Sequence, residues 1–339
     1  MKKILVVNVN WLGDAIFSSP IFRALKTAYP QAKISCLAVP RVREILESVP
    51  GIDEIIVYDE QGAHRSAFAK LRLIHDLSKR HFDTAFLLHR SLTRALLAFC
   101  AGIPQRIGYA TKGRGVFLTQ GIKPLDEKKV HRLDYYLHIL ESTGMTVADR
   151  TSSLTVDSES EKEIRAILYR HNVQEEDPLV VIHPGGNWDL KRWPVSYFAA
   201  LIEQLLKDEK IKVVISGSSA DVALATEIVS DLSHKPIVLV GKIGLKQLVA
   251  LMKRADCVVS ADSGPIHIAS SVGTSVVGIF GPTRPEITGP RGRGRSVILQ
   301  SDVGCNRRPC YYLECSDNTC MQAVSVNKVI DAIRQIQDQ

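Results

Sequence analysis

The sequence contains no run of 18 apolar residues, the length that a membrane-spanning helix needs. It also lacks a recognisable export signal, because Asn8 and Asn10 interrupt the short apolar run near Met1. Nothing in the composition indicates disorder, since 45% of the 339 residues are hydrophobic and 23% are charged. We therefore expect a folded cytoplasmic protein, and at roughly 100–200 residues per domain the length predicts two domains.

The excess of positive charge is modest, with a formal net charge of +7 and a pI of about 9.0. This balance favours an anionic partner, such as a nucleotide, a phosphorylated lipid or a membrane surface. A mildly basic surface with no such partner would explain the charge equally well. We expect no nucleic-acid partner.

Seven cysteines divide into two groups. Cys36, Cys100 and Cys257 lie in apolar runs, which predicts buried thiols. The other four are evenly spaced by four residues in a polar segment, at Cys305, Cys310, Cys315 and Cys320. A zinc or iron–sulfur site usually contains C-x₂-C pairs, which are absent here, so we favour reduced thiols that pack in a loop and keep a metal site as the alternative.

Short runs rich in Val and Ile alternate with helical patterns throughout the chain. Such alternation predicts an α/β fold with parallel sheets covered by helices. The strand candidates are 4–9, 33–39, 54–58 and 84–89 in the first half, and 179–183, 212–216, 236–240, 257–260 and 275–280 in the second. The plan thus occurs twice, which predicts two similar domains.

A polar, charged segment over residues 149–178 separates the two halves. We place the first domain at residues 1–160 and the second at 161–339. A last helix from about Ser325 to Ile336 closes the chain, and the sequence leaves open whether it packs back on the first domain. In doubly wound sheets ligands bind at the carboxyl ends of the strands, so the residues after each strand matter most.

Four polar loops that contain glycine follow predicted strands. They include Gly13-Asp14, PGGNWDLKRWP (184–194), ADSGPIHIAS (261–270) and GPTRPE (281–286). In the third loop, Asp262 and Ser263 can cap a helix and Gly264 leaves backbone amides open to a phosphate. His267 lies over the same first turn, although an ordinary cap with a surface histidine is an equal alternative.

The second loop combines glycine with cations. Gly185 and Gly186 allow tight backbone geometry, and Lys191 brings an ammonium group that could neutralise a diphosphate. After another strand, Asp221 could accept a ribose hydroxyl, but we favour a role at the start of a helix.

Asp14 has two interpretations. It can cap a helix, but Pro20 would then stand in the second turn of that helix. If the helix instead starts near Ser18-Ser19, Asp14 is free to act as a general base on a substrate, and Gly13 gives that substrate room near the backbone.

Taken together, these motifs resemble the ADP-heptose:lipopolysaccharide heptosyltransferases. The resemblance rests on NWLGDAIFSSP, HPGGNWDLKRWP and ADSGPIHIASSVGTSVVGIFGPTRPEITGP, which stand in the order of that family and span nearly the whole chain. It implies a GT-B fold, in which two Rossmann-like domains face each other across a cleft. The first domain would bind the acceptor and the second the ADP-sugar donor.

The resemblance also implies a reaction and its residues. L-glycero-D-manno-heptose would pass from ADP-heptose to the inner core of lipopolysaccharide, with inversion and without a metal or other cofactor. Asp14 matches the catalytic base of the family, and Lys191 matches the lysine that contacts the donor phosphate. The remaining donor-binding positions would be Gly13, Gly186, Asn187, Asp221, Asp262, Ser263, Gly264 and His267, although Asn187 stands where some relatives have a hydroxyl residue.

An anionic glycolipid acceptor would need cationic side chains in the first domain. The candidates are Arg90, Arg94, Arg106, Lys112 and Arg114, for which a solvated basic surface is the alternative. The resemblance is greatest to the second heptosyltransferase of the pathway, which acts on the first core heptose. The resemblance further implies that the protein associates peripherally with the inner face of the inner membrane.

Other functions fit less well. An enzyme of the first-heptosyltransferase type, acting on Kdo-lipid A, stays open as an alternative. A nicotinamide dehydrogenase would carry G-x-G-x-x-G after a strand, which is missing here. A non-catalytic nucleotide-sugar-binding protein would need neither Asp14 nor Lys191.

Overall fold

The computed structural model describes residues 2–186, 188–305, 307–310 and 314–337. The chain forms two compact units, Met1–Ser153 and Leu154–Gln339. The division thus lies between Ser153 and Leu154, not between residues 160 and 161. The difference arises because Leu154 already donates its backbone N–H to Ser271 in the second unit, ahead of the helix that begins at Ser158.

The first unit is a parallel sheet covered by helices. Its strands, among the described residues, are β1 (Lys3–Val7), β2 (Lys33–Ala38), β3 (Glu54–Val57), β4 (Thr84–Leu87), β5 (Gln105–Tyr109) and β6 (Gln120–Ile122). Its helices are α1 (Leu12–Phe17), α2 (Ser19–Ala28), α3 (Pro40–Leu46), α4 (Ala67–Ser78), α5 (Leu92–Cys100) and α6 (Arg132–Glu141), with a 3₁₀ helix at Arg114–Phe117. The strand order is β3-β2-β1-β4-β5-β6.

The second unit has the same plan. Its described strands are β7 (Leu179–His183), β8 (Lys212–Ile215), β9 (Ile237–Val238), β10 (Cys257–Ala261), β11 (Ser275–Phe280) and β12 (Ser296–Gln300). Its helices are α7 (Ser158–Arg170), α8 (Val195–Leu206), α9 (Val222–Val229), α10 (Leu245–Arg254), α11 (Gly264–Ser271), α12 (Pro285–Thr288), α13 (Thr319–Gln322) and α14 (Val326–Gln337), with 3₁₀ helices at Asp189–Lys191 and Ser219–Asp221. The order is β9-β8-β7-β10-β11-β12, which repeats the order of the first sheet.

The central strands contain continuous apolar runs, such as residues 4–7 in β1 and residues 179–182 in β7, because helices cover both faces of each sheet. Ile4, Leu5 and Val6 are completely buried in β1, as are Val180 and Val181 in β7. The last helix, α14, packs through Val329 and Ile333 into the core of the second unit. None of the helices in the described ranges has the length and hydropathy of a membrane-spanning segment.

Candidate active site

In each sheet the strand order reverses direction at one point, and three of the four loops singled out in the sequence follow the strands at these two points. In the first unit the reversal lies between β1 and β4, and in the second between β7 and β10. Neighbouring strands at such a point send their connections to opposite faces, which opens a crevice at their carboxyl ends. Asp14 follows β1, Lys191 follows β7 and Asp262 follows β10.

Asp14 belongs to the six-residue helix α1 and does not cap it. The N-cap residue is Trp11, without a side-chain capping bond, and Asp14 lies in the first turn. A second helix, α2, begins at Ser19 with Pro20 in its first turn. This is the helix start near Ser18-Ser19 that the second interpretation of Asp14 predicted. Half-buried Asp14 accepts a hydrogen bond of 2.8 Å from the hydroxyl of Tyr136 on α6. Asp14 therefore makes a tertiary contact with α6 instead of capping α1.

A cation stands close to this carboxylate. Arg132, one helical turn before Tyr136, is bonded to Glu127, which also binds Arg90. Burial lowers the pKa of Arg132, but its hydrogen bond with Glu127 and the charge of Asp14 outweigh burial and leave the pKa raised. The site therefore offers an acid, a tyrosine hydroxyl and two arginines held by one glutamate.

The sequence motifs did not indicate Glu127, Arg132 or Tyr136. A signal was present, because Arg132 and Tyr136 are four residues apart in HRLDYY and so share one helix face. That spacing shows only a common face, however. Which side chain that face contacts follows from the packing of α6 beside α1.

The five cationic candidates for acceptor binding have different surroundings. Arg94 and Arg114 are buried, so a solvated basic surface is the wrong description of these two. Arg94 donates to the carbonyl of Asn8 at 2.8 Å, and Arg114 donates to the carbonyl of Tyr109 at 2.7 Å. Lys112 is exposed, whereas half-buried Arg106 donates to main-chain carbonyls and Arg90 is paired with Glu127.

In the second unit, Lys191 and Asp262 form an ion pair. Lys191 Nζ lies 2.8 Å from Asp262 Oδ2, and its side chain is 25% exposed while that of Asp262 is 5% exposed. The hydroxyl of Thr288 donates to the same carboxylate oxygen at 3.2 Å. The ammonium group is thus fixed at one end by a buried acid and still open to solvent.

Buried His267 completes this group, and it is not the surface histidine of the alternative reading. Its Nε2 lies 3.8 Å from Asp262 Oδ1, an electrostatic contact longer than a hydrogen bond. Burial alone would raise the pKa of Asp262, but His267 and the Lys191 ammonium outweigh burial and hold it well below its usual range. Asp262 is therefore ionised at neutral pH.

The start of α11 is not capped by either predicted residue. Ser263 occupies the N-cap position, but its hydroxyl pairs with the hydroxyl of Ser260 at 2.9 Å. Asp262 is engaged by Lys191 instead. The helix begins at Gly264, followed by Pro265 in its first turn.

The glycine loop after β7 lies against Asp221. A Cβ atom on Gly185 would come within 2.4 Å of an oxygen of that carboxylate, whereas a Cβ on Gly186 would meet nothing within 4 Å. Asp221 Oδ2 accepts hydrogen bonds from the backbone N–H and the hydroxyl of Ser218, and the bond from the N–H is part of a capping box at a short 3₁₀ helix. The favoured structural role of Asp221 is therefore observed. Asn187 lies outside the described residues.

The cysteines are free thiols where the structure describes them. Cys36 and Cys257 are buried as predicted, but Cys100 is exposed at the end of α5, so the prediction for this residue is wrong. In the described ranges, no group of three or more His, Cys, Asp or Glu side chains could hold a metal ion.

Comparison with known proteins identifies the family. The family model for glycosyltransferase family 9 (heptosyltransferase) matches residues 70–316, well over half of the chain. The chain belongs to this family. It is therefore a glycosyltransferase, as the sequence motifs predicted.

Relatives of this family 9 chain include two proteins named lipopolysaccharide heptosyltransferase 2, from Escherichia coli and Salmonella typhimurium. Each is 30% identical to it over 87% of both chains. Among solved structures, a family 9 glycosyltransferase from Veillonella parvula matches with a TM-score of 0.86 at 25% identity, covering 99% of this chain and 97% of the other. ADP-heptose heptosyltransferase II of E. coli matches with a TM-score of 0.81 at 26% identity, covering 99% and 98%.

These matches confirm the predicted fold class. The α/β architecture with two parallel sheets is that of its family 9 neighbours, which are of the GT-B type. The resemblance noted from the motifs is confirmed for the family and agrees with the relatives named heptosyltransferase 2.

Proposed function

We propose that this family 9 glycosyltransferase transfers L-glycero-D-manno-heptose from ADP-heptose to the first heptose of the lipopolysaccharide inner core. The observation that carries the proposal is the 30% identity, over 87% of both chains, to proteins named lipopolysaccharide heptosyltransferase 2. The transfer is a single displacement that inverts the anomeric carbon.

Asp14 is the general base of this reaction. A sugar hydroxyl is a poor nucleophile, so a base must take its proton as the new bond forms, a task typically worth about 10²–10⁴-fold in rate. The hydrogen bond from Tyr136 fixes one carboxylate oxygen, Oδ1, at 2.8 Å.

Lys191 stabilises the leaving ADP. Negative charge develops on the diphosphate as the glycosidic bond breaks, and a preorganised cation lowers the energy of that state. Its pairing with Asp262, 2.8 Å away, holds the ammonium in place before the donor arrives. His267, Ser263 and the amides at Gly264 complete the donor site, and Gly186 leaves open space beside it.

The acceptor is an anionic glycolipid, so the protein associates peripherally with the inner face of the inner membrane. Lys112 and Arg90 are the cations with solvent access that could contact its phosphates. Buried Arg94 and Arg114 act indirectly, by holding the main chain at the carboxyl end of the first sheet. The family resemblance implies that the reaction requires no metal, with Lys191 as the cation beside the leaving diphosphate, and we expect full activity after treatment with EDTA.

The decisive test measures transfer from ADP-heptose to two defined acceptors, Kdo-lipid A and the same molecule carrying the first heptose. We expect product only from the second acceptor, and a loss of about 10²–10⁴-fold in kcat for Asp14→Asn. Product only from Kdo-lipid A would favour the alternative, an enzyme of the first-heptosyltransferase type. Full activity of Asp14→Asn would reject Asp14 as the base.

Binding of ADP-heptose can be measured by calorimetry on the same preparation, which distinguishes a loss of transfer from a loss of donor binding. Metal analysis of anaerobically purified protein tests the cysteine alternative, which stoichiometric zinc or iron would support.

A further inference from the structure

Helices α4 and α5 and the 3₁₀ helix at Arg114–Phe117 present an apolar surface to solvent. The 3₁₀ helix and α4 both pack beside α5. Of the nine large hydrophobic side chains that are exposed among the described residues, six lie on these three elements. These six define what we call the α4–α5 face: Phe68, Leu71, Leu92, Leu96, Phe99 and Val116.

Folding of the first unit does not require these side chains to be apolar. On α5, Leu92, Leu96 and Phe99 follow an i, i+4, i+7 spacing that forms one stripe, while Ala95 and Leu97 face the core. An outward stripe of this kind is normally polar. Phe68, Leu71 and Val116 are 77%, 63% and 79% exposed. Six large apolar side chains exposed on three neighbouring elements indicate an interaction site.

Positive charge borders the face. Residues 84–125 contain six Arg and Lys side chains and no Asp or Glu. Arg94 and Arg114 are buried, so the border consists of the other four. The guanidinium of Arg106 lies over the ring of Phe99, 5.2 Å from its centroid, and Lys112 is exposed near Val116 in the sequence. Helix α4 adds exposed Arg72 and a single acid, Asp76. An apolar surface with a cationic border suits a membrane whose head groups are anionic.

We propose that the α4–α5 face docks on an anionic lipid bilayer, with the apolar side chains at the level of the head groups. A second copy of this chain is a poorer occupant, because a symmetric pair would bring the same cationic border against itself. The choice of a bilayer over a protein partner also rests on the proposed function, since a glycolipid acceptor resides in a membrane.

Vesicle sedimentation tests this proposal with the intact chain. We expect the wild-type protein to bind vesicles that contain phosphatidylglycerol, to bind phosphatidylcholine vesicles more weakly, and to dissociate as salt is raised. The double variant Phe68→Glu/Leu71→Glu changes two highly exposed side chains and should reduce binding by roughly tenfold or more, the effect expected from losing burial of one leucine-sized group.

Tyr169→Glu provides the matched control. Tyr169 is also a large exposed hydrophobic residue, 66% exposed, but it lies on α7 of the second unit. It should leave vesicle binding unchanged. Equal loss in the control, or wild-type binding by the double variant, would overturn the proposal. The proposal would also be overturned if the wild-type protein binds no vesicles but forms a dimer that the double variant does not form. That result would identify a second copy of the chain as the occupant of the α4–α5 face.

Activity on a delipidated, water-soluble acceptor separates this proposal from the proposed function. The double variant should transfer heptose to that acceptor at the wild-type rate. If the wild-type protein transfers none, the proposed function fails, whatever the vesicles show. If transfer proceeds and vesicle binding is absent, only the docking surface is rejected.

Discussion

The hydroxyl of Tyr136 gives Asp14 a fixed orientation. Burial and the neighbouring Asp14 charge raise the pKa of Tyr136 well above its ordinary value, so the tyrosine stays a hydrogen-bond donor at every pH of interest. A bond donated to a carboxylate favours the ionised form, which is the form that a base needs. Tyr136 is thus a positioning residue for the proposed base.

Replacing Tyr136 with Phe should impair this function while keeping the shape of the side chain. We expect kcat to fall roughly tenfold, the usual value of a hydrogen bond to a charged group. The acidic limb of the pH profile should move to higher pH, because the ionised carboxylate loses a stabilising bond. A pH series of kcat and of kcat/KM measures both effects.

Tyr135→Phe is the control for that experiment. Tyr135 is the adjacent buried tyrosine on α6, and its hydroxyl accepts a long bond of 3.5 Å from Arg90 instead. The acidic limb of the pH profile of Tyr135→Phe should coincide with that of the wild type. A shift of equal size in both variants would mean that α6 packing, and not the bond to Asp14, sets the profile.

The depressed pKa of Asp262 predicts a pH-dependent contribution to stability. A carboxyl group whose pKa is lower in the folded state stabilises the protein above the unfolded pKa, about 3.9, and this contribution is lost as pH falls through the folded pKa. Asp262→Asn should cost roughly 2 kcal/mol at neutral pH. This is less than the about 3–5 kcal/mol of fully buried pairs because Lys191 is 25% exposed.

Urea unfolding at a series of pH values checks this prediction. The difference between the wild type and Asp262→Asn should be largest above about pH 4 and should shrink below it. Asp231→Asn changes an exposed aspartate of the same unit and should have little effect. A difference that stays constant from neutral to acidic pH would argue against a buried, ionised Asp262.

Among the structural elements, the loop after β7 depends on a close approach that only glycine permits. At Gly185 a methyl group would collide with Asp221, which would then have to leave its capping box with Ser218. We expect Gly185→Ala to lower the free energy of unfolding by about 1–2 kcal/mol through loss of this cap. Affinity for ADP should fall as well, since the same loop leads to Lys191.

The neighbouring position provides the comparison. Gly186→Ala adds the same methyl group where nothing lies within 4 Å, and its unfolding curve should match that of the wild type. Calorimetric titration with ADP measures the ADP affinity of both variants, and urea unfolding measures their free energies of unfolding. Equal stabilities for the two variants would remove the packing argument for Gly185.

The regular elements were predictable where apolar runs were long. The candidate strand at 275–280 coincides with β11, and the candidate strand at 179–183 coincides with β7. Three strands were missed: β5, β6 and β12. Each is short or half-buried, and β5 and β6 contain glycine, so neither alternation nor a continuous apolar run distinguished them from loops.

For the molecule as a whole, the repeated strand order assigns corresponding positions to the two units. Each unit has its own core, and each has its proposed functional residues after the two strands at the point where the order reverses. The charges there differ, however. The first unit offers Asp14 with Tyr136, and the second offers Lys191 with Asp262.

This difference in charge predicts which unit binds a nucleotide. Added ADP should slow hydrogen exchange most at residues 184–194 and 261–270 of the second unit, because bound ligand stabilises the segments that it contacts. The sheet from Lys3 to Ile122 should exchange at nearly its free rate. Mass spectrometry of peptides resolves the two units, and strongest protection in the first unit would contradict the donor assignment.

The sequence alone determined the α/β class, the two similar halves and the family, because these depend on apolar periodicity and on contiguous motifs. It also identified Asp14, Lys191 and Asp262 as residues that follow strands. Tertiary structure decided what those side chains contact. Tyr136 reaches Asp14 from 122 positions away, and Lys191 meets Asp262 across 71 positions. Such contacts follow from how helices and strands pack, which no local pattern records. For the same reason the sequence did not reveal that Arg94 and Arg114, two candidates for acceptor binding, are buried.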